Sequence, residues 1–447
     1  MRIILLSGGS GQRLWPLSNS TRSKQFLRLL PSPDGGTESM LQRVYRQLTE
    51  ADLTRNITIA SSSAQRDSIT TQIGNEITLV SEPERRGTFP AIALATAHLI
   101  YNEGCSREEV AVVVPCDTFA DNDYFQSLQK LADTVKNDSA ELALIGIKPT
   151  NSSTKYGYIL PVQKECSGVD MIKGFTEKPS KKRAEQLISK GALWNGGVFA
   201  FKLGFVEEII NRYIDADSFE QVQKNYCKLP AVSFDNEVTE KCHSVAVVTY
   251  NGVWKDIASW KALSEELPDK HTGNIVTGEE VENTTIINEL ELPVVCAGIK
   301  DAIVVAGYEG VLVCSKNASE EIKQHVEKVA TRPMFEERRW GTYKVINSTK
   351  YSDGFCTLTK ELKLNAGCNI SYQIHRHRDE VWTFVNGRGL LVIDGNVTEV
   401  TRGSVVHIKK GQLHAVRAIT DLEFIEVQTG DILVEEDIER YAWEWKQ

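Results

Sequence analysis

The chain has 447 residues, 41% hydrophobic and 25% charged, with a formal net charge of −9. That length exceeds one ordinary domain, so two or three are expected, with enough apolar side chains for sizeable cores. The acidic balance argues against nucleic acid or an anionic membrane as partner, yet leaves room for a local basic pocket. No apolar run approaches a membrane span, and the N-terminus lacks the basic start and long apolar core of a secretion signal. The nine cysteines are scattered, odd in number and free of C-x-x-C pairs, which predicts reduced thiols and a cytoplasmic location.

In chain order, Ile3-Ile4-Leu5-Leu6 predicts a buried parallel strand. Gly8 and Gly9 follow it, letting the backbone turn and approach a ligand closely. Gly11, Arg13 and Lys24 come next, so exposed N–H groups precede two cations suited to a polyphosphate. The spacing fits neither the G-x-x-x-x-G-K-[ST] loop nor the dinucleotide fingerprint, and the glycines alone read as an ordinary strand-to-helix turn. Up to about residue 265, apolar runs such as Ile57–Ala60, Val110–Pro115 and Leu142–Ile147 alternate with helical stretches such as Ala91–Tyr101, which predicts an open α/β sheet. The polar segment Pro268–Gly278 marks a boundary. Short β-rich pieces follow at Thr285–Ile287, Val294–Ala297, Ala302–Ala306 and Val311–Cys314, then a helix over Ala318–Ala330. Arg332-Pro333 begins a charged linker, and from Gly341 onward short-spaced β-branched residues and glycines predict an all-β barrel or sandwich.

One carboxylate stands where metal-assisted phosphoryl chemistry wants it. Asp117 follows the apolar run Val110–Pro115, and ligands of open α/β sheets gather at the carboxyl ends of strands. Asp256 lies in Val253-Trp254-Lys255-Asp256. Either residue taken alone reads equally as a helix cap or turn residue. Glu177-Lys178-Pro179 taken alone reads as an exposed charged turn, and Asn195 offers a neutral donor and acceptor. Residues 8–27, with Leu14-Trp15-Pro16-Leu17 and Lys24-Gln25-Phe26-Leu27, closely resemble the opening signature of nucleotide-sugar pyrophosphorylases, and within them mannose-1-phosphate guanylyltransferases.

The resemblance implies that Gly8 and Gly9 lie against the nucleobase and Gly11 wraps the triphosphate, while Arg13 and Lys24 neutralise transition-state charge. It implies Mg²⁺ held by Asp117 and Asp256. Glu177 and Asn195 would bind sugar hydroxyls, and Lys178 the sugar phosphate as a further catalytic cation. Thr118 stands where the family has His, and Gly87-Thr88-Phe89-Pro90 where it has Asn-Thr-Ala-Pro in the nucleobase-selecting region. The implied substrates are GTP and mannose 1-phosphate.

Further on, Gly367, Gln373, His375, Glu380 and Gly387, then Gly403, Lys409, Gly411 and His414, follow the two cupin motifs, with Gln373 for the first His and Lys409 for Pro. Alternation along a strand puts residues 373 and 375 on one face, with Glu380 and His414 returning from neighbouring strands to enclose a cation; His377 could replace one of the four. The string from Gln373 to Trp382 resembles the signature of type II phosphomannose isomerases, as does the tail from Ile425 to Gly430. That resemblance implies interconversion of mannose 6-phosphate and fructose 6-phosphate at one divalent metal (Zn²⁺, Fe²⁺, Mn²⁺, Co²⁺ or Ni²⁺). Arg378 reads either as a phosphate contact or as a solvated surface residue. The resemblance divides the chain into a Rossmann-like nucleotidyltransferase domain with a mostly parallel mixed sheet (1–267), a β-solenoid and helix (268–330), a linker (331–342) and a cupin (343–447). A transferase for another nucleotide or manno-type sugar, with a non-catalytic metal-binding cupin, fits the same residues. Homo-oligomerisation is left open.

Overall fold

In the computed structural model, which describes residues 1–9, 12–19, 21–53, 56–162, 168–328 and 332–445, the apolar runs of the N-terminal half become strands of one nine-stranded sheet. Its order is Thr78–Glu82, Ile57–Ser62, Arg2–Ser7, Val110–Pro115, Leu193–Lys202, Leu142–Ile147, Val245–Tyr250, Val169–Thr176, Tyr158–Pro161. The first four run parallel, as does the pair Leu142–Ile147 with Val245–Tyr250. Leu193–Lys202 is antiparallel to both of its principal neighbours, and the far edge is antiparallel too. The sheet is therefore mixed, with most of its strands running one way: the long strand Leu193–Lys202 inserted at its centre runs against its neighbours, as does Val169–Thr176 near the far edge.

Both faces of this sheet are covered, which explains why its central strands are continuous rather than alternating apolar runs. Ile3, Leu5, Val112 and Val114 point into one core with Tyr124, Phe125, Leu128 and Leu131 of the helix Asn122–Lys136. Ile4, Ala111 and Val113 point into the other, with Phe89, Ile92 and Leu94 of the helix Thr88–Ala97. The expected helix over 91–101 thus begins three residues earlier and ends in a π-helical turn, His98–Asn102.

The chain divides into two compact units, Met1–Arg13 with Ser23–Asp269 and Leu14–Arg22 with Lys270–Gln447. In the second, His271–Thr272, Thr285–Asn288 and Ala302–Gly307 pair in parallel, Gly310–Ser315 closes that sheet antiparallel, and Ile275–Thr277 pairs in parallel with Val294–Cys296. Ile286, Cys296 and Val304 form their small core. The helix expected over 318–330 reduces, among the described residues, to a 3₁₀ turn at Ala318–Glu320 and a four-residue helix, Lys323–Val326. Among the described residues of that stretch, only Ser319, Ile322 and Val326 are buried.

Two sheets complete the unit. One has six strands, ordered Phe335–Arg338, Gly341–Lys350, Cys356–Leu364, Leu422–Gly430, Arg378–Asn386, Val405–Ile408; the other has five, Asn396–Thr401, Arg388–Ile393, His414–Ala418, Tyr372–Ile374, Glu439–Tyr441. Leu358, Trp382 and Phe424 of the first share a core with Leu391, Val400 and Val416 of the second, the all-β arrangement expected from the cupin motifs. Residues 335–338, read from the sequence as charged linker, form an edge strand paired with Gly341–Lys350. The segment 14–22, expected with the first domain, clusters with the second unit, where Asn19 Nδ2 donates to Glu309 Oε1 and Phe335 O at 2.8 Å each. Arg22 pairs with Glu289 through two hydrogen bonds, 2.8 and 3.0 Å. The eight described cysteines are free thiols.

Candidate functional sites

A cavity of about 510 Å³ opens at the carboxyl ends of the four parallel strands of the first unit. Each strand contributes the residues just at or past its end: Gly8 and Gly9, Ser62, Glu82, and Pro115 with Asp117. Parallel strands align their last carbonyls and the loops that follow, so a site assembles there from chain segments far apart in sequence. Gly9 has φ +109°, a conformation open to glycine, and nothing crowds the missing side chain. Gly11 lies outside the described residues.

Lys24 starts a 3₁₀ turn, Lys24–Phe26, whose Gln25 and Phe26 are buried, and it projects toward Asp117. The Lys24 Nζ to Asp117 Oδ2 distance is 2.6 Å. Burial disfavours the Lys24 ammonium, but Asp117 and Asp256 outweigh it and lift its pKa above the ordinary lysine value. Burial likewise works against the Asp117 carboxylate, and Lys24 and Arg13 prevail and hold its pKa below the usual range. Asp256 Oδ1 accepts from the Ala258 amide at 3.0 Å, which fixes it at the foot of the helix Trp260–Glu266. The structure thus brings Arg13, Lys24, Asp117 and Asp256 into one electrostatic neighbourhood. Two carboxylates with hard oxygen donors beside two cations form a donor set that suits Mg²⁺ and phosphate together.

The sugar-side candidates stand nearby on sequence-distant segments, a turn and a strand. Glu177 and Lys178 occupy the turn between the strand Val169–Thr176 and the helix Lys181–Ile188, whose N-cap Ser180 accepts from Arg183 N. Lys178 takes φ +42°, is exposed, and pairs with Glu177 Oε1 at 2.6 Å. Asn195 sits at a register irregularity of the strand Leu193–Lys202, the local kink by which a strand re-aims a side chain. Its Nδ2 donates to Asp235 Oδ1 at 2.7 Å and its Oδ1 accepts from the Gly197 amide at 3.1 Å. Asp235 lines the cavity, and burial together with the Glu177 charge pushes its pKa up to about 7. Sequence reasoning missed Asp235, which belongs to no recognisable spacing. The segment around Gly87-Thr88-Phe89-Pro90 borders the cavity through Glu82, Arg85, Gly87, Thr88 and Ala91. A second cavity of about 530 Å³ in this unit contains the ion pairs Arg107–Glu207 and Lys202–Glu108, charges that already satisfy one another.

In the second unit, His375, Glu380 and His414 are buried and offer ligand atoms within 4.8 Å of one another. Their strands explain it. Gln373 is in register with His414 across Tyr372–Ile374 and His414–Ala418, and Glu380 lies on Arg378–Asn386 of the other sheet. His375 Nδ1 faces Asp437 O at 2.5 Å and His414 Nδ1 faces Gln412 O at 2.9 Å, so a proton on each Nδ1 leaves both Nε2 atoms as acceptors. Burial lowers both imidazole pKa values against the opposing pull of Glu380, favouring the neutral, ligating form. His414 Nε2 is buried without a hydrogen-bond partner. An orphaned imidazole nitrogen beside a second imidazole and a carboxylate fits a divalent transition metal. Gln373 Oε1 accepts from Ser371 Oγ at 2.7 Å and its amide nitrogen faces His375 Nε2 at 3.2 Å, so ligation by Gln373 requires its amide to turn over.

His377 is exposed and stands outside this cluster. Arg378 is buried, donating to Glu380 Oε1 at 2.8 Å and to Val434 O at 3.0 Å, so the solvated-arginine alternative falls away. Behind the cluster, Trp382 Nε1 bridges Glu380 and Glu426, and Gln428 Nε2 donates to both carboxylates. Burial and the Glu380 charge push the Glu426 pKa up to about 8. The resemblance of the 425–430 stretch gave Glu426 no role; its burial beside Glu380 is a property of the barrel.

The family model for nucleotidyl transferases matches residues 2–272, and that for the mannose-6-phosphate isomerase C-terminal region matches residues 320–442. A putative mannose-1-phosphate guanylyltransferase of Vibrio cholerae serotype O1 is 32% identical over 98% of both chains. A mannose-1-phosphate guanylyltransferase of Salmonella montevideo is 30% identical, again over 98% of each. Among solved structures, one titled mannose-1-phosphate geranyltransferase, from Thermus thermophilus, superposes with a TM-score of 0.61 at 29% identity, covering 74% of this chain and 99% of its own.

Proposed function

This chain belongs to the nucleotidyl transferase family and carries a mannose-6-phosphate isomerase C-terminal region, and on that premise we propose that it transfers a guanylyl group from GTP to mannose 1-phosphate, releasing pyrophosphate. The observation that carries the reading is the Lys24–Asp117 pair, bordered by Arg13 and Asp256, at a cavity built from the carboxyl ends of four parallel strands. A phosphate oxygen of the sugar 1-phosphate attacks the α-phosphorus of the triphosphate, and pyrophosphate leaves toward Arg13 and Lys24. Asp117 and Asp256 would hold Mg²⁺, which when bound supplies neutralisation of phosphate charge. Gly8, Gly9 and Gly11 line the nucleotide; Glu177 and Asn195 orient the sugar, and Lys178 binds its phosphate. Catalysis is then positioning and charge stabilisation without a covalent intermediate.

The second unit interconverts mannose 6-phosphate and fructose 6-phosphate in the same reading. His375, Glu380 and His414, with Gln373, would hold one divalent metal, whose chemistry is polarisation of the sugar carbonyl. The buried Arg378, turned toward this cluster, supports a role in holding Glu380 in place. The parallel pairings between residues 271 and 306 support a β-solenoid within 268–330, between a transferase domain at 1–267 and a cupin at 343–447.

Pyrophosphate release across GTP, UTP, CTP, ATP and dTTP, each with mannose 1-phosphate and related sugar 1-phosphates, tests the transferase. GTP with mannose 1-phosphate is expected to lead; preference for UTP or CTP sinks the guanylyl assignment. Conversion of fructose 6-phosphate that is lost on chelation tests the second site, and a metal-loaded protein without turnover makes it a binding module.

A further inference from the structure

Asp235 matches no motif, yet its surroundings give it a defined job in the first unit. Its backbone belongs to a segment latched onto the cavity wall. The Phe234 amide donates to Thr88 Oγ1 at 2.9 Å, the Phe89 amide to Val232 O at 3.3 Å, and Arg86 Nε and Nη2 to Leu229 O at 3.2 and 3.1 Å. A Cβ on Gly87 would lie 2.6 Å from Val232 O, so the two segments touch backbone to backbone. The Asp235 side chain projects from that latch into the cavity beside Gly197 and Phe199. There it takes one of the two amide hydrogens of Asn195, whose oxygen is already held by the Gly197 amide. Asn195 is therefore locked in orientation, with one N–H and one lone pair left for a ligand.

We propose that Asp235 is a specificity-determining residue for the sugar 1-phosphate, its carboxylate accepting a hydrogen bond from a sugar hydroxyl while it holds the Asn195 amide in register. The proposal rests on the transferase reading and deepens it. A neutral hydroxyl is the chemistry this environment selects. Burial, and the second carboxylate that Glu177 places nearby with Lys178 answering only part of its charge, push the Asp235 pKa up to about 7. A further anion is disfavoured beside Asp235, whereas a hydroxyl can donate to the carboxylate or accept from the carboxyl. The same latch joins the sugar wall to Gly87 and Thr88 of the segment expected to select the nucleobase.

The test is steady-state pyrophosphate release by the full chain with whichever nucleoside triphosphate and sugar 1-phosphate the wild type prefers. Asp235→Ala and Asp235→Asn are compared after their folding is checked by thermal unfolding. Asp235→Ala is expected to raise KM for the sugar 1-phosphate about tenfold while changing KM for the triphosphate less than about twofold, the scale of one lost hydrogen bond. A panel of monodeoxy sugar 1-phosphates adds a readout that a purely structural role leaves unmoved. The wild type should discriminate against one deoxy position, and Asp235→Ala should lose that discrimination. The part of the pH dependence of the sugar KM near neutrality that Asp235 contributes should vanish in Asp235→Asn, leaving that of the phosphate itself. Equal increases in both KM values, or discrimination that persists in Asp235→Ala, overturn the proposal. A wild type that releases no pyrophosphate with any sugar 1-phosphate fails the transferase reading instead, and is visible before any variant is made.

Discussion

Lys24 and Asp117 show how two side chains tune each other at the proposed triphosphate site. Each is partly buried, which alone would push both toward neutrality, and each keeps its charge because the other is 2.6 Å away. The signs of the two shifts set the pH window. With the Asp117 pKa lowered, its contribution to stability is present above its unfolded pKa and lost as pH falls through the folded one. With the Lys24 pKa raised, its contribution is present below its unfolded pKa and lost as pH rises through the folded one. The pair is intact across neutrality, so the transferase should show no titration of either group there. Lys24→Met is expected to lower kcat/KM for pyrophosphate release by about a hundredfold or more, the loss typical of a removed transition-state charge partner. It should also move the acid limb of the pH profile upward as Asp117 loses its partner.

Glu426 is the opposite case, a carboxyl pushed up to about 8 by burial and by Glu380. A raised acid contributes most below its unfolded pKa and loses that contribution as pH rises toward the folded value. In chelator-treated protein this contribution of Glu426 to thermal stability should therefore fall between about pH 5 and 8, against the opposite contribution of His375 and His414, whose pKa values are lowered. Glu426→Gln should flatten that slope, measured as the unfolding midpoint against pH.

At the scale of elements, the first site depends on turns that follow strands. The segment before the helix Thr88–Ala97 passes through Gly87 at φ +100°, against the backbone of Val232. Gly87→Ala combines an unfavourable φ with a backbone clash, and is expected to cost about 2 kcal/mol or more in chemical denaturation. It should also weaken triphosphate binding, because the same turn lines the cavity. The strand Leu193–Lys202 shows the converse strategy. Its register irregularity keeps the strand in the sheet while turning Asn195 toward Asp235.

At the scale of the whole molecule, each candidate site is completed by residues of one unit alone. The two proposed activities should accordingly fail separately. His414→Ala is expected to remove about one bound transition-metal equivalent and abolish hexose 6-phosphate interconversion while leaving transferase kcat within about twofold. Asp117→Asn should do the reverse, with metal content in the second unit unchanged by elemental analysis. Loss of both activities in either variant would contradict independent sites.

The amino-acid sequence by itself determined the family, with its nucleotidyl transferase region and its mannose-6-phosphate isomerase C-terminal region. Local glycine placement, cations and strand-terminal carboxylates are consequences of short-range chemistry, and they are written in contiguous runs such as 8–27 and 373–382. Strand direction, the length of the 318–330 helix and the joining of residues 14–22 to the second unit were decided by tertiary structure. So were the burial of Arg378 and Glu426, and the meeting of Asp235 with Asn195 across forty positions. Those features depend on which distant segments pack together, and a lone Asp or Glu carries no periodicity that records its eventual neighbours.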